Sequence, residues 1–155
     1  MEKLYMLLYP MRVVLIGCGT KEKPNVMAAS WCFPLSFEPS LLGVSISKKR
    51  FSHELISKNK EFTVNIPSFE LKNTIELCGS RSGRTTDKFK IGKITPEFGK
   101  LGAPMVKECN ASIECRVVKE EEIGDHVLFV GDAVNIVTRK QKKGIYQTKK
   151  GFIEV

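Results

Sequence analysis

The sequence predicts a mainly β protein, an antiparallel barrel or sandwich with short helical inserts. Two observations lead there. First, about seven or eight short segments are rich in β-branched residues or alternate apolar with polar side chains. Second, only two helical segments interrupt them, and they do not alternate with strands as a doubly wound parallel sheet requires. The chain has 155 residues, 42% of them hydrophobic, with no low-complexity tract and no internal repeat. That length suits a single domain over residues 1–155 with one substantial core.

In chain order, Met11 to Cys18 reads as one strand, because Val13-Val14-Leu15-Ile16 is β-branched and unbroken. Gly19 to Pro24 form a turn. Val26 to Phe33 follow as a strand, with Met27, Ala29 and Trp31 on one face and Ala28, Ser30 and Cys32 on the other. Pro34 and Pro39 remove ladder donors and place a bend or sheet edge here. Leu42 to Ser47 resumes the strand pattern. Ser52 is expected to cap a helix reaching Lys58, with Phe51 and Ile56 at the spacing of a hydrophobic staple. Phe62, Val64 and Ile66 alternate with Thr63 and Asn65, the pattern of a half-buried strand. Ser68 is expected to cap a second helix stopped by Gly79. Residues 80–104 look irregular, and a loop of that length in a compact domain usually serves a site or covers something. Within it, Thr86-Asp87-Lys88-Phe89 can start a helical turn. Ala111 to Val117 is a strand, and Glu120 to Asp125 is expected as its hairpin turn. His126 opens the strand Val127 to Val130; Gly131 marks a bulge or close approach before Ala133 to Val137. Two short strands flank Lys149-Lys150 at the end.

The formal net charge is +8. A lysine-rich surface accounts for it, and so does an anionic partner such as nucleic acid, acidic membrane or a phosphorylated cofactor. The lysines are dispersed, densest at 48–50 and 139–150, with no basic helix carrying interleaved aromatics. No nucleic-acid partner is therefore expected. No run approaches the roughly 20 apolar residues that span a bilayer, so no membrane association is expected. Leu15-Ile16-Gly17-Cys18 resembles a lipoprotein cleavage box, but Pro10 and Arg12 break the apolar core a leader needs. The five cysteines contain no C-x-x-C pair. An odd count without such pairs argues against a disulfide framework or zinc knuckle. With only two histidines, no metal site is expected, and a reducing cytoplasm fits best.

One stretch carries most of the candidate chemistry. Asn25 and Ala28 to Trp31 offer small side chains that let a planar ligand approach the backbone, or plain core packing around Trp31. Lys48-Lys49-Arg50-Phe51-Ser52 brings cations, a helix start and a hydroxyl to one place. Lys48 and Arg50 are spaced to point the same way, so this is either a phosphate seat or a solvated turn. Arg81, Arg84 and Lys88 can add anion contacts from the long loop. Histidine as a residue type suits proton transfer near neutral pH, so His126 is the candidate acid–base residue, or a turn histidine. Cys109 and Cys115 read as small buried hydrophobes, and Cys32 as packing beside Trp31.

Four segments resemble the flavin reductase family, the proteins with an FMN-binding split barrel. They are Asn25 to Trp31, Val44 to His53, Glu61 to Pro67 and Gly124 to Gly131, in that order along about residues 11–137. The resemblance implies a six-stranded antiparallel Greek-key split β-barrel, homodimeric, with FMN near the subunit interface. It implies that Asn25, Met27, Ala28, Ala29, Ser30 and Trp31 lie along the flavin ring. Ser45, Ile46, Ser47, Lys48, Arg50, Phe51 and Ser52 would take the ring edge, ribityl chain and phosphate. Lys88 would approach the cofactor from the same or the partner chain, and His126 would contact nicotinamide or the flavin face. The implied activity is reduction of flavin, a ferric chelate or a protein acceptor with NADH or NADPH. A carrier relaying electrons without its own NAD(P)H activity is the alternative, and a basic nucleic-acid-binding barrel a remote one.

Overall fold

Val13 to Ile16 are buried without a break because the strand they enter is covered on both faces. A computed structural model describes residues 1–155. After a 3-10 turn at Leu4–Leu8 come β1 (Met11–Arg12), β2 (Val14–Gly19), β3 (Pro24–Ala29), β4 (Cys32–Ser36) and β5 (Leu41–Ser47). Helix α1 (Phe51–Asn59), β6 (Glu61–Ile66), a 3-10 turn at Phe69–Leu71, α2 (Lys72–Ser80) and α3 (Lys88–Gly92) follow. The chain continues as β7 (Pro96–Glu97), β8 (Met105–Val106), β9 (Ala111–Ile123), β10 (His126–Thr138), β11 (Ile145–Thr148) and β12 (Gly151–Glu154).

The protein is mainly β, as expected. One antiparallel sheet runs in the order β3-β2-β6-β9-β10-β5-β4. It contains the six expected barrel strands, and β4 adds an edge pairing only with β5. Pro34 lies in that edge strand, where a missing N–H costs no ladder bond. Strand β3 and the β4–β5 pair follow one another in sequence but lie at opposite ends of the ladder, so the barrel is split between them. The connection through α1 crosses from one end of the sheet to its middle. Inside, Ile16, Ile46, Phe62 and Phe129 form one core with Ile56 of α1. Outside β2 and β3, Leu15 and Val26 form a second core with Ile75 of α2, Phe89 of α3 and Ile145 of β11. Each fully buried aliphatic or aromatic side chain contributes roughly 1.5–3 kcal/mol.

Several boundaries differ from expectation. Met11 to Cys18 is two strands: Val13 N–H donates to Ile145 O at 3.0 Å, and β1 pairs with β11 in a separate three-stranded sheet. Val26 to Phe33 is also interrupted, because the chain leaves β3 after Ala29 and re-enters as β4 at Cys32. Helix α1 begins at Phe51 with Arg50 at its N-cap and no side-chain cap. Ser52 therefore sits in the first turn, its hydroxyl engaged elsewhere, and the Phe51–Ile56 staple spacing does not apply. Ser68 likewise makes no cap bond and leads into the 3-10 turn, while α2 runs through Gly79 to Ser80. The polar face of β6 is not solvated. Thr63 Oγ1 donates to Pro104 O at 2.5 Å, and Asn65 Nδ2 donates to Leu15 O at 3.0 Å. The segment between β7 and β9 covers that face. Glu120 to Glu122 lie in the β9–β10 ladder, and the turn is only Gly124-Asp125, with Gly124 at φ +62°. At Gly131 the register shifts as expected, and a Cβ there would lie 2.7 Å from Phe62 Cζ and Cys115 Cβ.

A buried carboxylate fixes the covering loop. Glu114 is fully buried and accepts from Lys100 N at 3.0 Å, Leu101 N at 2.9 Å and Asn135 Nδ2 at 2.7 Å. Those donors replace the water it lost. No helix is long and apolar enough to cross a membrane.

Candidate functional site

The open edge of β3 faces two adjoining cavities. The first, about 220 Å³, lies between β3, the start of α1, the end of α2 and α3. Asn25, Arg50, Phe51, Ser52, Arg81 and Lys88 line it. Asn25 ties β3 to α1 by donating Nδ2 to Ser52 Oγ at 3.2 Å. Helix α1 contributes the partial positive charge of its N-terminus to the same wall.

Lys88 is the unusual member. The short helix α3, capped by the Asp87 side chain accepting from Lys90 N–H, turns it inward. It is only 5% exposed, and its Nζ donates to Cys78 O at 2.9 Å. No carboxylate lies within 4.0 Å of it, in a chain where seven other Lys or Arg side chains have one. Desolvation holds its amine below the ordinary 10.5, only partly offset by Cys78 and Cys18; Arg50 pushes the same way as desolvation. That offset acts only at alkaline pH, where the thiols ionise: burial pushes Cys18 up and Cys78 up to about 11, so near neutrality they supply no negative charge. A buried cation with one carbonyl partner and an adjacent guanidinium calls for an anion.

The second cavity, about 560 Å³, continues along β3 toward β5 and the start of β10. Met27, Ala29, Ser30 and Trp31 line it, joined by Ser45, Ile46, Ser47 and His126, with Ser45 N donating to Trp31 O at 2.9 Å. Trp31 and His126 stack with ring centroids 4.7 Å apart and planes 22° from parallel. His126 is held at Cα by pairing to both Ser47 and Ile123, and its Nδ1 lies 2.7 Å from Asp125 Oδ1. The two cavities share Met27, Lys49 and Arg50. Together they form one groove, cationic at one end and flat-walled at the other.

The structure thus gathers Asn25, Met27, Ala28, Ala29, Ser30, Trp31, Ser45, Ile46, Ser47, Arg50, Phe51, Ser52, Lys88 and His126 around the groove. Ile46 borders it while its side chain belongs to the inner core. Lys48 does not join them. It pairs with Glu122 of β9, because the tight turn at Ser47–Arg50 sends Lys48 and Arg50 to different sides. Arg84 also leaves the anion cluster: it pairs with Glu54, and its guanidinium lies 4.7 Å from the centroid of the Phe51 ring. Cys32 packs against the inner core and Cys109 within the outer one. Desolvation pushes both thiols up to about 12, and that of Cys115 further.

Three contributors were not singled out. Lys49 of the basic segment, rather than Lys48, borders both cavities. Arg81 is expected at the anion end, but its neighbours from Gly79 to Gly83 wall it too, and a Cβ at Gly83 would lie 2.0 Å from Asn25 Oδ1. The clustered glycines and serines around Arg81 are the sequence signal for that. Tyr5 closes the far end, 5.8 Å from the Trp31 ring, and no local pattern links residues so distant in sequence.

The model of the flavin reductase like domain matches residues 6–152. A ferric-chelate reductase (NAD(P)H) of Archaeoglobus fulgidus is 29% identical over 136 residues, covering 86% of this chain and 78% of that protein. Flavoredoxin from Methanosarcina acetivorans superposes with TM-score 0.89 at 30% identity, over 100% of this chain and 90% of that one. The FMN-binding protein from Thermus thermophilus, solved with bound 1-cyclohex-2-enone, gives TM-score 0.88 at 30% identity, over 99% and 92% of the two chains.

Proposed function

Since the chain belongs to the flavin reductase-like family, we propose that it is an FMN-binding oxidoreductase that takes electrons from NADH or NADPH. It passes them to a flavin, a ferric chelate or a protein acceptor. The observation that carries the reading is Lys88, a buried cation without a carboxylate, facing a cavity it shares with Arg50 and Ser52. That end fits the phosphate of FMN. The flat-walled end, from Met27 to Trp31, fits its ring, and Ser45 to Ser47 offer polar backbone and hydroxyls to the ring edge. Bound FMN supplies the hydride and single-electron chemistry. Lys88, Arg50 and the α1 start neutralise the phosphate, Asn25 holds Ser52 in place, and His126 serves the reacting end from its stack on Trp31. The active form is a homodimer, with the exposed apolar rim beside Trp31 as the contact, acting in the cytoplasm.

The test is a titration of the flavin-free protein with FMN, then anaerobic addition of NADH or NADPH. Saturable binding and bleaching of the flavin band support the reading. A protein that leaves FMN free in solution sinks it. The 30% identity to a flavoredoxin favours one second reading, a carrier without NAD(P)H activity of its own. Bleaching by dithionite but by neither nicotinamide would select it.

A further inference from the structure

The turn residue Asp125 lies beside the ring end of the groove and has no part in the function above. Its Oδ1 is 2.7 Å from His126 Nδ1. A carboxylate only accepts, so Nδ1 must carry the proton. The hydrogen bond from His126 holds the Asp125 carboxyl below its ordinary value, which keeps it in that accepting form. The Trp31 stack fixes the plane of the imidazole, and the Asp125 bond fixes its rotation. Nε2 is left with no protein partner at a residue lining the 560 Å³ cavity.

We propose that Asp125 is a positioning residue: it holds His126 with Nδ1–H toward the turn carboxylate and Nε2 toward the cavity, where the imidazolium form can give its Nε2 proton to an acceptor. This rests on the flavin reading above. It also names an acceptor class, molecules that take a proton with their electron pair, such as a quinone or a ring conjugated to a carbonyl. The step balances. A quinone gains a hydride from the reduced flavin at one oxygen and a proton from imidazolium Nε2 at the other. The products are the hydroquinone, oxidised flavin and the neutral Nδ1–H imidazole, whose Nε2 takes a proton back from water in the open groove once the hydroquinone leaves. Asp125 stays ionised throughout.

Two arms test it. In flavin-free protein, long-range 1H–15N spectra should show His126 as the Nδ1–H tautomer, shifting toward Nε2–H in Asp125→Asn, whose amide donates to Nδ1. In FMN-loaded protein reduced with dithionite, stopped-flow mixing with 2-methyl-1,4-naphthoquinone should slow roughly 10- to 100-fold in Asp125→Asn, the scale of a mispositioned general acid. Reoxidation by ferricyanide, which takes no proton, should not follow it, and Asp125→Glu should recover part of the quinone rate. An unchanged tautomer overturns the proposal, and so does equal slowing, or no slowing, with both acceptors. Failure to bind FMN would instead strike the flavin reading, leaving the tautomer arm to judge Asp125.

Discussion

At the residue scale, the two cations expected side by side have opposite fates. Arg50 borders both cavities, while Lys48 is spent on Glu122. Arg50→Ala should weaken FMN binding by about 1–3 kcal/mol, the scale of a lost charge-assisted bond. Lys48→Ala should change it by less than about 0.5 kcal/mol, since the pair it breaks is exposed. Fluorescence titration of FMN with each variant checks both. Lys88→Met should separate binding from stability. Affinity falls by about tenfold or more, while the ligand-free protein is stabilised because an unpaired buried cation is gone. The sign with pH follows from the lowered amine. Unfolded chains bind more protons at Lys88 than the folded one between its lowered value and 10.5. Stability of the ligand-free protein should therefore rise across that window, and the rise should vanish in Lys88→Met. Urea midpoints measured against pH for both proteins decide it. The sequence offered Lys88 only as one of several loop cations, and family resemblance alone singled it out. Its isolation from carboxylates depends on α2 and α3 meeting in space, which no spacing reveals.

At the element scale, strands with strong alternation were legible and their ends were not. Leu42 to Ser47 and Phe62 to Ile66 stand close to where their patterns put them, because period-two burial is local information. Thr63 and Asn65 misled, since a polar side chain looks the same whether water or a covering loop satisfies it. Glu120 to Glu122 misled similarly: three acids suggest a turn, yet each has a place in the ladder, with Lys48 and Lys60 opposing two of them. Two predictions belong here. Gly131→Val puts a branched side chain where a Cβ alone would lie 2.7 Å from Cys115 Cβ and Phe62 Cζ. Overpacking should cost about 1–3 kcal/mol, read as a lower thermal midpoint. Glu114→Ala leaves the N–H groups of Lys100 and Leu101 without their acceptor. A cost of about 2–3 kcal/mol, with faster proteolysis within residues 99–104, is expected.

At the scale of the whole molecule, apolar surface gathers on one side. Leu4, Leu8, Phe33, Ile123 and Leu128 border a groove of about 530 Å³ next to Trp31. Gly43 permits the gathering, since a Cβ there would sit 3.0 Å from Leu128 Cδ1 and 3.3 Å from Phe33. Phe33 is 43% exposed and Ile123 55% exposed. A stable dimer through this rim needs roughly 1,200–2,000 Å² of total buried surface. Sedimentation should show a dimer, converted to monomer by Phe33→Lys with Ile123→Lys. A monomeric wild-type protein would remove the subunit contact from the proposed function.

The two ends of the groove meet only at Met27, Lys49 and Arg50. On the proposed function, holding a ligand and setting its reactivity would fall to nearly disjoint groups of residues. Substitutions around Arg81 or Ser82 can lengthen or shorten the ligand's stay without disturbing the rings around Trp31. Changes near His126 can retune reactivity without releasing the ligand. A scaffold divided in this way can change its reaction partner while keeping its cofactor.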